Sequence, residues 1–488
     1  MTYVKSNNTH YLYILLISML CISNTIRTEL SSLAKNDPYP LFSTLDLGSK
    51  YLLTKEQLLY KEPELAEKKK NRLNVSITPF GQNASRGKTI KGLICPVNLG
   101  DPIPCPDEAD VPLGDLVGRT GMIPLLYGQF PEGITSYPGG PTGYLTQAFN
   151  ALFTSISTPS TPGNLNTELY IDPAQLFGYF SFPIEYRKRG VRFELDVRLY
   201  KDFGMRLQGG VSSIRQVVEN TINLTDNDVM FPNETLGISG ATVNQVLMKQ
   251  LDNIATEIGI DLGNVIQTSS EEVRLNFFWR DAIDMNSDIE NGWAHFLLIP
   301  YCEVAAGFSP SKARNPNQHF AAPFANNGHT SVGITAGMNF DFVQTIEIGG
   351  EVGFTHFFKR NFCNYPIPTS QFQTELFPFK ADISLQPGNN WYFLARIAAY
   401  HFLGNLSMHF EWVVLDHKQD TICLQKDDPA FKPEVLAHTT TFKTKFGNAA
   451  LNYDIAPNIG LGFLWQIPFS QRNAYRSSTI MVGANFTF

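Results

Sequence analysis

The sequence predicts an all-β protein, a transmembrane antiparallel β-barrel of about 12 strands. Three features carry that prediction. Long segments alternate apolar and polar residues without interruption, with strands of about ten to thirteen residues, where spanning a bilayer takes ~9 to 11. The loops between them sort by length onto two sides. The chain closes on one more alternating segment, STIMVGANFTF, whose last residue is Phe488.

The 488 residues are 43% hydrophobic, 12% aromatic and only 17% charged, below the ~25% usual for soluble domains. The net charge of -7 argues against nucleic acid as a partner, since that would call for a basic face. Residues 1–23 read as a signal peptide. Lys5 precedes an uncharged apolar run from Tyr11 to Ile22, with small residues around Ser23 for cleavage. A transmembrane anchor is the alternative, but the run falls short of the ~20 residues that a spanning helix needs. Residues 24–170 differ from the rest. A charged helix-prone piece is followed by one alternating segment, Leu73, Val75, Ile77, and then by loops rich in Pro and Gly. This region is expected to be periplasmic or a plug, with the barrel over 171–488. Cys95 and Cys105 bracket one of its loops and are the easiest disulfide pair.

Candidate strands lie at 176–187, 191–201, 204–214, 271–282, 293–307, 331–342, 346–358, 374–386, 391–402, 405–415, 438–453, 458–468 and 477–488. Residues 331–342 are the cleanest: Val332, Ile334, Ala336, Met338, Phe340 and Phe342 face one way and Ser331, Gly333, Thr335, Gly337, Asn339 and Asp341 the other. This count is odd, which a barrel with both termini on one side forbids. The apolar face runs on odd numbers through Ala399 and on even numbers from Leu406. A β-bulge near Gly404 would shift parity without a turn. Merging 391–415 into one bulged strand makes the count even. The turns KDFG, DMNSDIENG, VQT, PGNN and DIAPN then fall on the side of the termini. Loops 215–270, 308–330, 359–373, 416–437 and 469–476 fall opposite, with one short turn at Lys188 to Gly190. Cys363 and Cys423 share that opposite side, a second candidate disulfide.

The terminal strand closing on Phe486 and Phe488 resembles the C-terminal signature of bacterial outer-membrane β-barrels. The resemblance covers the signal, the alternating strands from 176 and the last ten residues. It implies an outer-membrane location after export, lipid as surroundings, and recognition of Phe486 and Phe488 by the barrel-assembly machinery.

With the apolar face on lipid, the polar face lines a lumen: Arg192, Glu194, Asp196, Arg198, Arg206, Arg274, Arg280, Asp341, Glu347, Glu351 and Arg396, with Asp382, His409 and Glu411 on the same parity. Opposed charges across water filter small solutes; packed against each other, they only fill the interior. Twelve strands lie between roughly eight, filled by side chains, and the 16 to 18 that leave an open channel. A porin-like channel for passive diffusion of small hydrophilic solutes is the expected function. The alternatives are a non-conducting surface protein whose long loops bind a partner, and a secreted β-sandwich. Val243, Val246, Leu247, Leu251, Ile254 and Ile258 form a helical apolar stripe in loop 215–270, expected to pack within its loop. No phosphate-cradling, dinucleotide or zinc motif occurs, and the nine His do not cluster. No cofactor, metal or enzymatic activity is expected.

Overall fold

Twelve antiparallel strands close on themselves in a computed structural model, which describes residues 73–88, 110–116, 120–122, 124–126, 128–153, 178–200, 202–225, 240–281, 283–285, 296–311, 313–342, 345–371, 373, 375–456 and 458–488. The signal peptide predicted over 1–23 and the pair Cys95 and Cys105 lie outside these residues.

The strands are β1 (Leu73–Ala84), β2 (Ile184–Tyr200), β3 (Phe203–Val218), β4 (Val273–Arg280), β5 (Phe296–Phe308), β6 (Ser331–Phe342), β7 (Ile346–Phe357), β8 (Asn390–Leu403), β9 (Leu406–His417), β10 (Phe442–Ala456), β11 (Ile459–Arg472) and β12 (Ser478–Thr487). Each pairs with its neighbour in sequence, and β12 pairs back onto β1, so no edge is left. At the closing seam Leu73 and Phe488 exchange backbone hydrogen bonds of 3.3 and 2.8 Å. The terminal phenylalanine therefore ends a paired strand rather than a frayed tail.

Alternation decides what each face meets. Ile334, Val352, Phe393, Phe410, Phe463 and Val482 are all 41–53% exposed on the outer surface, and similar residues continue round the wall. An apolar band of that extent on a folded protein is a lipid-facing surface. The inner face is polar and buried.

Four expectations about the strands are corrected. The two strands expected at 176–187 and 191–201 are replaced by a single β2, Ile184–Tyr200, that runs through the expected turn, because Lys188 points inward and Gly190 keeps its ladder with Phe80 and Ser212; Tyr179–Ser181 belongs to a separate small sheet. Residues 374–386 are not wall. Their strand, Lys380–Gln386, lies between Arg360–Pro366 and Thr421–Leu424 in a separate three-stranded sheet. The segment 391–415 is two strands, since Gly404 at φ +61° and Asn405 form a two-residue turn between Leu403 and Leu406. Such a turn flips parity as a bulge does, because paired residues three apart share a face. Finally, Leu73–Ala84 is wall, not plug. The total of twelve is correct because two surplus strands offset two missing ones.

Both ends of the paired chain lie at one end of the barrel, here the proximal end, with four short turns and the longer connection 281–295. The wall leaves and re-enters there around KDFG, DMNSDIENG, VQT and DIAPN, as expected, although residues 286–295 and 343–344 lie outside the described ones; PGNN lies at the distal end, its place taken by Gly404 and Asn405. Every other connection leaves and re-enters the wall at the distal end: Ala84 to Ile184, Val218 to Val273, Phe308 to Ser331, Phe357 to Asn390, His417 to Phe442 and, the shortest, Arg472 to Ser478. The described residues of 24–170 are thus split between wall and distal end. Among them Arg86–Lys88 pairs with Ala474–Tyr475 of a distal loop. They form no proximal plug.

The distal loops share one apolar core. Leu113, Met122 and Leu126, Leu145 and Phe149 of helix α1 (Tyr144–Phe153), and Leu251 and Ile254 of helix α3 (Leu251–Glu257) pack with Phe320, Phe362, Ile383 and Phe431. A short helix α2 (Gly240–Val246) leads into α3. The helical stripe is thus buried, but against several loops rather than its own alone: Leu247, Leu251, Ile254 and Ile258 are all under 9% exposed.

Candidate functional site

The lumen holds the residues that could act on a solute. Arg192, Glu194, Asp196, Arg206, Arg274, Asp341, Glu347, Glu351 and Arg396 all face inward, as the alternation predicts, and all are buried. Arg280 also points in, with its guanidinium 5.1 Å from the Tyr301 ring centre. The side chain of Arg198 is outside the described residues. Asp382 is not in the lumen: it accepts a bond from the Asn364 N–H (2.8 Å) in the distal sheet.

These groups form three clusters. In the first, Arg206 on β3 meets Asp196 at 2.7 Å, Glu303 at 3.5 Å and Glu194 at 3.7 Å. Gln208 donates to Glu194 (2.7 Å) and Asn276 donates to Gln208 (3.1 Å). In the second, Lys188 and Arg192 grip Glu271 at 3.1 and 3.2 Å, Ser212 donates to the same carboxylate, and Arg192 lies 4.1 Å from the Phe80 ring centre. In the third, Arg396 bridges Glu347 (3.0 Å) and Glu411 (3.9 Å), and Asn448 and Gln466 extend the chain from Glu411. Beside it Tyr301 donates to Glu351 at 2.7 Å, and Tyr392 donates to the same carboxylate. Each of these tyrosines lies over a glycine on the neighbouring strand, Tyr301 over Gly337 and Tyr392 over Gly353, where a Cβ would collide with the ring.

Burial separates this lumen from a water-filled constriction. Arg206 is 1% exposed, and Glu347 and Glu411 are 0%. Ions so far from water must be compensated by partners, and here the partners are one another. Apolar side chains also gather at the distal mouth. Tyr186 and Ile214, inward on β2 and β3, belong to the apolar core of the loops together with Phe182 and Phe320. Across the mouth Phe357, Tyr392, Leu415, Phe442 and Ala474 form a second apolar cluster.

Sequence reasoning missed Lys188, Glu271, Glu303, Tyr301 and Tyr392. Glu303 and Tyr301 sit on the inward parity of β5 and were readable from it. Lys188 was hidden by the charged run RKR, which mimics a turn, and Glu271 sits at a strand junction. The candidate disulfide between Cys363 and Cys423 is not formed. Cys302, Cys363 and Cys423 are free and exposed. Cys363 and Cys423 lie on the two outer strands of the distal sheet with Lys380–Gln386 between them. Two strand spacings are about 9.6 Å, beyond the ~6.8 Å that a disulfide allows between Cα atoms.

No protein-family model matches the chain, and no curated protein matches it. Solved structures similar to it are outer-membrane barrels. An outer-membrane channel from Pseudomonas putida F1 has 6% identity and a TM-score of 0.40, covering 86% of this chain and 96% of that one. A Pseudomonas aeruginosa FadL homologue has 9% identity and a TM-score of 0.31 (88% and 93%). The NanC porin has 9% and 0.31 (62% and 94%). Likenesses this slight carry no argument. The chain is a closed twelve-stranded antiparallel barrel on the strength of its own strand pairing.

Proposed function

We propose that the protein is an outer-membrane channel that is shut in this state, a gated route for small hydrophilic solutes rather than an always-open porin. The supporting observation is the double closure of the lumen: ion pairs buried to a few per cent exposure, beneath a distal mouth filled by apolar side chains. In this reading residues 1–23 direct export and the proximal end faces the periplasm. The distal loops face outward, lipid surrounds the apolar band, and the assembly machinery reads the last strand. The protein performs no catalysis. A solute, or a partner that engages the distal loops, has to loosen the apolar seal before the lumen charges meet water.

Single-channel recording in a planar bilayer tests this. The wild type is expected to be closed most of the time. Phe182→Ser, which puts a hydroxyl into the seal, should raise the open fraction, and Glu351→Ala should shift the ion selectivity of the open events. Steady open steps in the wild type would restore the porin of passive diffusion. Silence in every variant, with heat-modifiable gel mobility showing a folded barrel, would transfer the function to the alternative: a non-conducting surface protein whose distal loops bind a partner. The shared apolar core of those loops favours this second reading over any role for single flexible loops.

A further inference from the structure

Two adjacent strands of the wall mark where its lipid-facing band ends. On β2 every outward position from Val191 to Leu199 is apolar, and on β3 every one from Phe203 to Val211 is apolar or glycine. A run from 191 to 199, at ~3.3 Å per residue, is about 26 Å long and crosses most of a ~25 Å band even with the strand tilted. Val191 and Val211 are paired with each other and form the distal border of the band. The next outward pair toward the distal end is Arg189 with Ser213, and the one after it is Arg187 with Arg215.

All three arginines are exposed. Arg187 stands directly opposite Arg215, where like charges destabilise a strand pair. Arg189 lies diagonally beside Arg215, at a spacing that long side chains bridge. Of the acids on this outward face, Glu185 is taken by Arg187 at 2.5 Å, and Glu219 lies farther out, past Val217. Arg189 and Arg215 make no ion pair among the described residues. Their flanks add no charge. Ile266 and Thr268 stand beside Arg215 and Ser213 on one side. On the other, Gly81 of β1 stands opposite Arg189, and a Cβ there would touch nothing, so the guanidinium is open on that side.

We propose that Arg187, Arg189 and Arg215 hold the phosphate headgroup of an anionic lipid in the distal leaflet, with its acyl chains lying on Val191 and Val211. Position supports this, because the guanidinium groups begin one pleat beyond the apolar border, where a headgroup sits above its chains. Charge supports it as well. Two uncompensated cations suit a phosphate, whose oxygens accept from guanidinium N–H groups in pairs. An anion between Arg187 and Arg215 also relieves their repulsion. A soluble phosphate would gain the charge alone, whereas a lipid also lays its chains against the valines, so the lipid is the occupant. The proposal rests on the lipid-facing band and not on conduction, so the two can fail separately.

The test refolds the full-length protein into phosphatidylcholine vesicles containing phosphatidylglycerol, extracts it into detergent, and weighs the intact protein with the lipid it retains. Heat-modifiable gel mobility shows that each variant is a folded barrel. The wild type should retain phosphatidylglycerol in preference to phosphatidylcholine. Arg189→Gln with Arg215→Gln should cut that preference at least about tenfold, since each arginine near an anionic lipid surface contributes roughly fivefold. Lys426→Gln, which removes an equally exposed cation from a distal loop, should leave it unchanged. No preference in the wild type, a double variant that keeps it, or an equal loss in Lys426→Gln overturns the proposal. Displacement of the lipid from the wild type by inorganic phosphate also overturns it, because the arginines would then take any phosphate.

Discussion

Replacing Arg206 by Met removes one charge, keeps most of the side-chain volume, and strands three acids. The guanidinium is 1% exposed and has Asp196, Glu303 and Glu194 within 2.7, 3.5 and 3.7 Å. By Coulomb's law each pair gains about 4 kcal/mol at 4 Å and an effective dielectric near 20. Desolvation of the four ions takes back most of that sum, so the cluster as a whole adds little net stability. Removing one member is another matter, because the remaining carboxylates stay buried without compensation, at a cost of about 3–5 kcal/mol. The assay is urea unfolding in lipid vesicles, followed by heat-modifiable gel mobility. Arg206→Met should lower the unfolding free energy by that amount. Neutralising the acids in the same background, with Asp196→Asn, Glu194→Gln and Glu303→Gln, should recover most of the loss. A loss under about 1 kcal/mol, or no recovery in the neutralised protein, would refute the reasoning and show that water reaches the cluster.

Three further outcomes follow from the same structure. His329, in the distal loop before β6, is buried with its Nδ1 3.0 Å from the Phe358 carbonyl, and burial pushes its pKa down to about 4. The unfolded chain takes up this proton near pH 6.5 and the folded one only near 4, so stability should fall as the pH drops from about 6.5 to 4, by up to ~3 kcal/mol; His329→Gln should flatten that slope in unfolding measured against pH. Phe362 is 0% exposed in the core of the distal loops, so Phe362→Ala should cost those loops about 3–5 kcal/mol; hydrogen exchange should rise there while the wall keeps its protection, and equal loosening of the wall would show that loops and barrel unfold as one. Phe488 is 65% exposed and holds its place through backbone bonds to Leu73. Phe488→Ala should therefore leave refolding in detergent nearly unchanged while cutting the assembled yield in cells, and an equal loss in both would make the residue structural rather than a signal.

Alternation made the wall legible where a strand is both regular and flanked by its neighbours. Residues 331–342 and 346–358 were read within a residue of β6 and β7. The failures have a common cause: period two says that a segment has two faces, but not what lies against them. Lys380–Gln386 alternates well enough for wall, yet Ile383 and Leu385 are buried in the distal core. Leu73, Val75 and Ile77 were seen to alternate, but about a hundred residues separate β1 from β2, and no local signal says that a strand will be closed by the far terminus. The errors nevertheless cancelled. Once the two termini must share a side, strand number can change only in pairs, so a wrong merge and a wrong addition are corrected together or not at all.

The lumen shows the limit of the same signal in sharper form. Parity alone found ten inward charges that are all buried: Glu411 and the nine above. What parity could not decide is whether those charges face water or each other. That depends on which strands closure brings together: Arg206 on β3 meets Glu303 on β5 only because the short β4 lies between them, and Arg396 on β8 takes its acids from β7 and β9 on either side. It also depends on an apolar core shared by several separate distal loops, none of which carries a motif. The same residues would make a filter in a wider or uncovered barrel. In this one they are partners: parity names the groups that line the lumen, while the closure of the fold determines that they face one another.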